Sequence, residues 1–183
     1  MKLSILIPSI PSRFKLLTKI FAKLDSQSTD EVEILVFIDN KRRSIGLKRD
    51  ALMQMSRGDY VCFVDDDDDV EDDYIEQLLI GCAAGKDVVV FWQRAYSDGK
   101  EAMIDFDLSN ENTPFIAGAI VARKPFHVCA FRGKIARQYR FPNLMYGEDW
   151  IWCEKVLDDV KTQYKIGKIL HTYNYDSKIT EAL

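Results

Sequence analysis

The stretch YVCFVDDDDDVEDDY, residues 60–74, runs a short apolar segment straight into five consecutive aspartates, residues 65–69. A brief apolar run before a turn has the pattern of a buried strand. Carboxylates crowded at its end repel one another unless something positive offsets them. The candidates are a metal ion, a basic partner or, for the outer acids, water. Residues 69–73 can be a solvated acidic turn ahead of a helix starting near Asp72, where carboxylates suit the positive end of the helix dipole. Asp65, Asp66 and Asp67, directly behind the strand, call for more.

On the N-terminal side, KLSILIPSI (residues 2–10) reads as a buried strand ended by Pro8 and Pro11. In residues 12–27, Phe14, Leu17, Ile20, Phe21 and Leu24 fall at helical spacing, with Ser12 as N-cap. EVEILVFIDN (31–40) is a second strand ending at Asp39, and residues 45–58 read as a helix closed by Gly58. After the aspartates come a helix over 72–85 and a strand over 87–93. Alternating strands and helices predict an α/β fold, with a mainly parallel central sheet flanked by helices. Ligands of such sheets bind beyond the carboxyl ends of the strands, where Asp39 and Asp65 fall.

The second half is less regular. Residues 96–114 read as a polar hairpin or loop, 115–123 as a strand, and 132–149 as a loop rich in arginine and aromatics. A helix follows, with Trp150, Ile151, Val156, Leu157 and Val160 as its apolar side, and then a last strand or pair of strands over 162–175.

With 183 residues, 47% apolar and 30% charged, the chain is expected to form one domain over 1–183. A net charge of −4 argues against general nucleic-acid binding. Cys62, Cys82, Cys129 and Cys153 are scattered with no CxxC pair, which predicts reduced, packed thiols. No signal peptide and no apolar run of membrane-spanning length is evident, so a cytoplasmic protein is expected.

Three chemistries compete for the aspartates. An EF-hand counted from Asp65 would use Asp67, Asp69, Asp73 and Glu76, but its sixth position needs glycine and holds Val70. A phosphatase of the haloacid dehalogenase type could be fitted to Asp66, Asp68 and Val70, one residue late. The third is a D-x-D pair, Asp65 and Asp67, holding Mg²⁺ or Mn²⁺ against a substrate diphosphate, since these ions take one or two carboxylates plus phosphate oxygens.

Six segments support the third. SILIPSIPSR (4–13), VFIDN (36–40), GLKRDALMQMSRGDYVCFVDDDDD (46–69), FIAGAIVARK (115–124), MYGEDWIWCEKVL (145–157) and ILHTYNYDSKIT (169–180) follow one another in order. Together they resemble glycosyltransferase family 2, inverting nucleotide-sugar enzymes of the GT-A (Rossmann-like) fold. Asp50 stands where that family usually has asparagine, and Pro11 where asparagine is frequent. The resemblance implies a nucleotide-sugar donor, a UDP-sugar, and a glycan or other hydroxyl acceptor. It implies nucleotide-sugar contacts from Pro8, Ser9, Arg13, Asp39, Arg49, Asp65 and Asp66. The Mn²⁺ or Mg²⁺ ligands would be Asp67, Asp65 and His171. Catalytic carboxylates would be Asp149, as general base, and Glu148 beside it. Tyr146, Trp150 and Trp152 could stack on sugar faces, with the core as an equal place for Trp152.

Simpler roles stand beside these. Asp39 could cap a strand-end turn, Asp149 could cap a helix, and His171 could be a packed core histidine. A fold that keeps the nucleotide site without catalysis, a pure binding module, is the rival function.

Overall fold

Every residue of β1 (Leu3–Ser9) is buried, as expected of a parallel strand covered on both faces. The computed structural model describes residues 1–176. Helix α1 (Phe14–Asp25) leads from β1 to β2 (Val32–Ile38), and α2 (Ile45–Met55) leads from there to β3 (Tyr60–Phe63). β1 pairs in parallel with β2 on one edge and with β3 on the other. The chain thus steps one way across the sheet and then back. Right-handed crossovers put α1 and α2 on opposite faces. The reversal creates a switch point between the carboxyl ends of β1 and β3, the usual ligand position in such sheets.

The rest is a mixed extension. β4 (Asp69–Val70) and α3 (Tyr74–Ala83) precede the long β5 (Val88–Ser97), β6 (Lys100–Phe106) and β7 (Ile120–Arg123). β8 (Ala130–Arg132), the short α4 (Gly133–Ala136), α5 (Glu148–Val156) and β9 (Gln163–Tyr175) complete the order. β8 lies antiparallel between β3 and β5. β9 runs parallel to β5 along its other edge and also carries β4. The strands therefore run β2-β1-β3-β8-β5-β6-β7, with β9 and β4 off that path. The β5–β6 hairpin turns at Asp98 and Gly99, both at positive φ (48° and 77°), as a two-residue primed turn requires. All four cysteines are free and buried. No helix of the described residues is long and apolar enough to cross a membrane.

Several local expectations are corrected. α1 is entered through a turn at Pro11–Arg13 without side-chain capping, so Ser12 is not its N-cap. α2 stops at Met55, short of Gly58. Gly58 lies against β1 instead: a Cβ there would sit 2.6 Å from the Ser4 nitrogen. On α5 the buried side chains are Glu148, Trp152, Cys153 and Val156, while Trp150 is 41% exposed. The outer aspartates do more than meet water, because Asp69 and Val70 form β4 against Thr172 and His171. The closing segment resembling the family runs past Asp176, so its last four residues lie outside the described residues.

Candidate active site

A cleft of about 1110 Å³ opens at the switch point. The end of β1 supplies Pro8 and Ser9, the following turn Arg13, α2 supplies Lys48 and Arg49, and the β3 exit supplies Asp65, Asp66 and Asp67. From the far wall come Tyr146, Glu148, Asp149 and Trp150. Nine of the eleven residues singled out as site residues therefore meet in one place; Asp39 and His171 do not line it.

The aspartates behind β3 face different ways. Asp66 is buried and accepts hydrogen bonds from Ser9 Oγ at 2.6 Å and Arg13 Nη1 at 2.9 Å. Burial still leaves its carboxyl above the usual range, against the pull of Ser9 and Arg13. Asp65 is gripped by Arg49, whose Nη2 lies 2.9 and 3.0 Å from its two oxygens. Burial alone would raise the Asp65 pKa, but Arg49 and His127 outweigh it and hold it well below the carboxylate range. Asp67 faces the cleft with its side chain 22% exposed, 3.1 Å from Arg13 Nη1. Burial, then the charges of Asp68 and Asp65, push its pKa up to about 7. Asp68 turns the other way, to 3.3 Å from His171 Nε2, and its other oxygen accepts the Asn174 N–H. Asp66 and Asp68 therefore share no site, which removes the geometry the phosphatase alternative needs.

The far wall is delivered by contacts to α2. Arg140 forms a two-pronged pair with Asp50 at 2.7 and 2.5 Å, and the Phe141 N–H also reaches Asp50. The Gly46 N–H donates to the Leu144 carbonyl, and a Cβ on Gly46 would stand 1.9 Å from the Pro142 oxygen, so only glycine lets the loop lie this close. Gly147, at φ 76°, then turns the chain into α5. Glu148 points inward, 5% exposed, with Oε1 3.0 Å from Arg49 Nε. Asp149 is a quarter exposed; its Oδ1 accepts the Trp150 N–H at 2.7 Å. The N-cap position belongs to Gly147, and no side chain caps this helix. Both acids lie in its first turn, where the dipole favours negative charge.

The two outliers have other partners. Asp39 caps its own turn, accepting the Lys41 and Arg43 N–H groups, and pairs with Lys48 Nζ at 2.8 Å. Burial opposes its ionisation, but Lys48 and the two amides hold its pKa low. His171 is fully buried, with Nδ1 2.9 Å from Gln93 Nε2. The expected metal set of Asp67, Asp65 and His171 is thus not assembled: Arg49 occupies Asp65, and His171 faces Asp68. Among the described residues no three His, Cys, Asp or Glu side chains are grouped to hold an ion. Asp67 alone fits as a carboxylate ligand, with its charge crowded and its face toward the cleft.

Two residues escaped the sequence analysis. Lys48 is 2% exposed and bonds both Asp39 and the Ser9 carbonyl, at 3.1 Å. Helical spacing carries its signal: Lys48 and Arg49 stand three and four residues beyond buried Ile45, on the inner face of α2. His127 is buried beside Asp65 and Asp149, and nothing periodic marks it.

The glycosyl transferase family 2 profile matches residues 30–141. The sequence has no match among curated proteins. Among solved structures, S. aureus TarS 1-349 superposes with a TM-score of 0.71 at 14% identity, covering 95% of this chain and 60% of that one. TarS 1-349 in complex with UDP-GlcNAc gives 0.72 at 14% identity over 100% and 62%, and its complex with UDP 0.70 at 14% over 94% and 60%. This chain thus spans about three fifths of those TarS 1-349 chains and 37% of the longer TarS structure, and they share its GT-A fold. Because the profile covers more than half of the sequence, the chain belongs to glycosyl transferase family 2.

Proposed function

We propose that the protein transfers a sugar from a nucleoside-diphosphate sugar, with UDP as the favoured nucleotide, to an acceptor hydroxyl with inversion at the anomeric carbon. The observation that carries this is the convergence of Asp67 and Asp149 on one cleft at the switch point, from segments more than eighty residues apart. Direct displacement needs a stabilised leaving diphosphate, a base for the acceptor and alignment of the two. Asp149 takes the acceptor proton. Its place at a helix start, with a carboxylate open to the cleft, suits that work. Glu148 is committed to Arg49 and acts by orienting.

Arg13, Lys48 and the Ser9 segment line the side where a nucleotide diphosphate would lie. Lys48, with Asp39 behind it, is in position to meet a base carbonyl. A divalent cation, Mn²⁺ or Mg²⁺, bound at Asp67 would offset charge developing on the leaving phosphate. Tyr146, 93% exposed, and Trp150 form an aromatic rim beside Asp149, which suits stacking on a glycan acceptor. The complexes of the S. aureus protein with UDP-GlcNAc and UDP support the choice of nucleotide.

The test is hydrolysis or transfer of a panel of nucleotide sugars with Mn²⁺ and with chelator, in wild type and Asp149→Asn. Turnover that needs the metal and falls about 10²–10⁴-fold in the variant is expected, the usual worth of a positioned base. Nucleotide binding without turnover of any donor by the wild type would favour a pure binding module.

A further inference from the structure

His127 lies between β7 and β8, outside every motif, yet its side chain is 7% exposed and held from several sides. Its carbonyl accepts the Phe63 N–H at 3.1 Å, tying it to the end of β3 just ahead of the aspartates. The ring packs edge-on against Phe126 and Phe63, with centroids 4.8 and 6.1 Å away. Nδ1 stands 3.5 Å from Asp149 Oδ2, and Nε2 stands 3.8 Å from Asp65 Oδ2. Among the described residues neither ring nitrogen has a hydrogen-bond partner. An unpaired buried donor or acceptor is costly enough to require an explanation. Both distances lie at or just beyond hydrogen-bond length, and catalytic hydrogen bonds often tighten only when substrate is bound.

We propose that His127 is a positioning residue for Asp149: its Nδ1 edge holds Oδ2 while the Trp150 N–H holds Oδ1, fixing the carboxylate plane toward the cleft. This rests on Asp149 being the base. The Nε2 edge leads to Asp65, Asp65 to Arg49, and Arg49 to Glu148, which adjoins Asp149 in the chain. The two acids at the start of α5 are thereby joined, through four side-chain contacts, to the first aspartate behind β3. Without His127 the Asp149 side chain keeps one anchor, the neighbouring amide, and can rotate about its last torsion.

The isosteres of histidine separate the two edges. An asparagine amide nitrogen falls near Nδ1, a glutamine amide nitrogen near Nε2. His127→Ala is expected to lower kcat for donor hydrolysis about 10–100-fold, as small misplacements of reacting groups do, with UDP affinity within about twofold of wild type. His127→Asn should recover most of that loss and His127→Gln should not. Equal behaviour of the Asn and Gln variants, or an Ala variant with full kcat, overturns the proposal; should the Ala variant not fold, the Asn and Gln pair decides. Crystal structures of the wild type and His127→Ala supply a readout independent of turnover. A rotated or split Asp149 carboxylate in the variant supports the proposal, and an unchanged one refutes it. A wild type that hydrolyses no donor sinks the functional assignment alone, and the crystallographic result still decides the role of His127.

Discussion

Asp67→Asn is expected to stabilise the metal-free fold above neutral pH while removing metal-dependent activity. The carboxyl is raised from 3.8 to about 7 by burial and by Asp68 and Asp65, with Arg13 pulling the other way. Three pK units at about 1.4 kcal/mol each set a ceiling near 4 kcal/mol for holding this group ionised in the fold. Because the side chain is 22% exposed, water and small local shifts relieve part of that, and about 2 kcal/mol is a working figure. For a domain of this size it corresponds to roughly 4–8 °C in Tm. The folded-state pKa lies above the unfolded one, so wild type gains stability as pH falls through about 7, and the gain is complete below about 4. The advantage of the variant should therefore be full near pH 8 and smaller near pH 5. Thermal melts in chelator at both pH values measure it. Adding Mn²⁺ with UDP should raise the wild-type Tm and leave the variant unmoved. A variant less stable than wild type near pH 8 without metal would refute the account of the aspartate cluster as uncompensated charge.

Two further substitutions probe how the far wall is held. Glu148→Ala strands the buried Arg49 Nε, and removing one partner of such a pair costs about 3 kcal/mol or more; urea unfolding should show it, and an unchanged midpoint would mean that Arg49 finds other partners. Gly46→Ala forces a Cβ to within 1.9 Å of the Pro142 oxygen, so the loop ahead of α5 must move. A loss of about 1–3 kcal/mol is expected, with donor turnover falling while UDP affinity holds, and calorimetry beside an activity assay checks the split.

The first half of the fold is legible because each element is punctuated. Pro11 follows the end of β1, although the strand runs through Pro8 to Ser9; the apolar positions of α1 recur at helical spacing, and β3 stops just ahead of the aspartates. β8 was not, since three residues sandwiched between two neighbours carry no periodicity of their own, and their strand character comes wholly from β3 and β5. The site divides along the same line. Arg13, Arg49, Asp67 and Asp149 lie in motifs whose spacing the chain preserves. His171 misled because a histidine in the closing segment looks the same whether it faces a metal or a buried carboxylate; the side of β9 it occupies is set by the pairing of Val70 with it. His127 acquires its meaning only from two carboxylates that lie distant in sequence.

The placement of β8 and β9 also governs how the protein is made. β5 leaves the ribosome before either of the strands that flank its first residues, and β3 waits for the same β8 to cover its outer edge. Until Gln163–Tyr175 has been synthesised, the long β5 presents an apolar, unpaired margin, the kind of surface that recruits foreign strands. Exposure to misassembly is thus concentrated between translation of β5 and of β9. A truncation in that interval should drive the chain into aggregates.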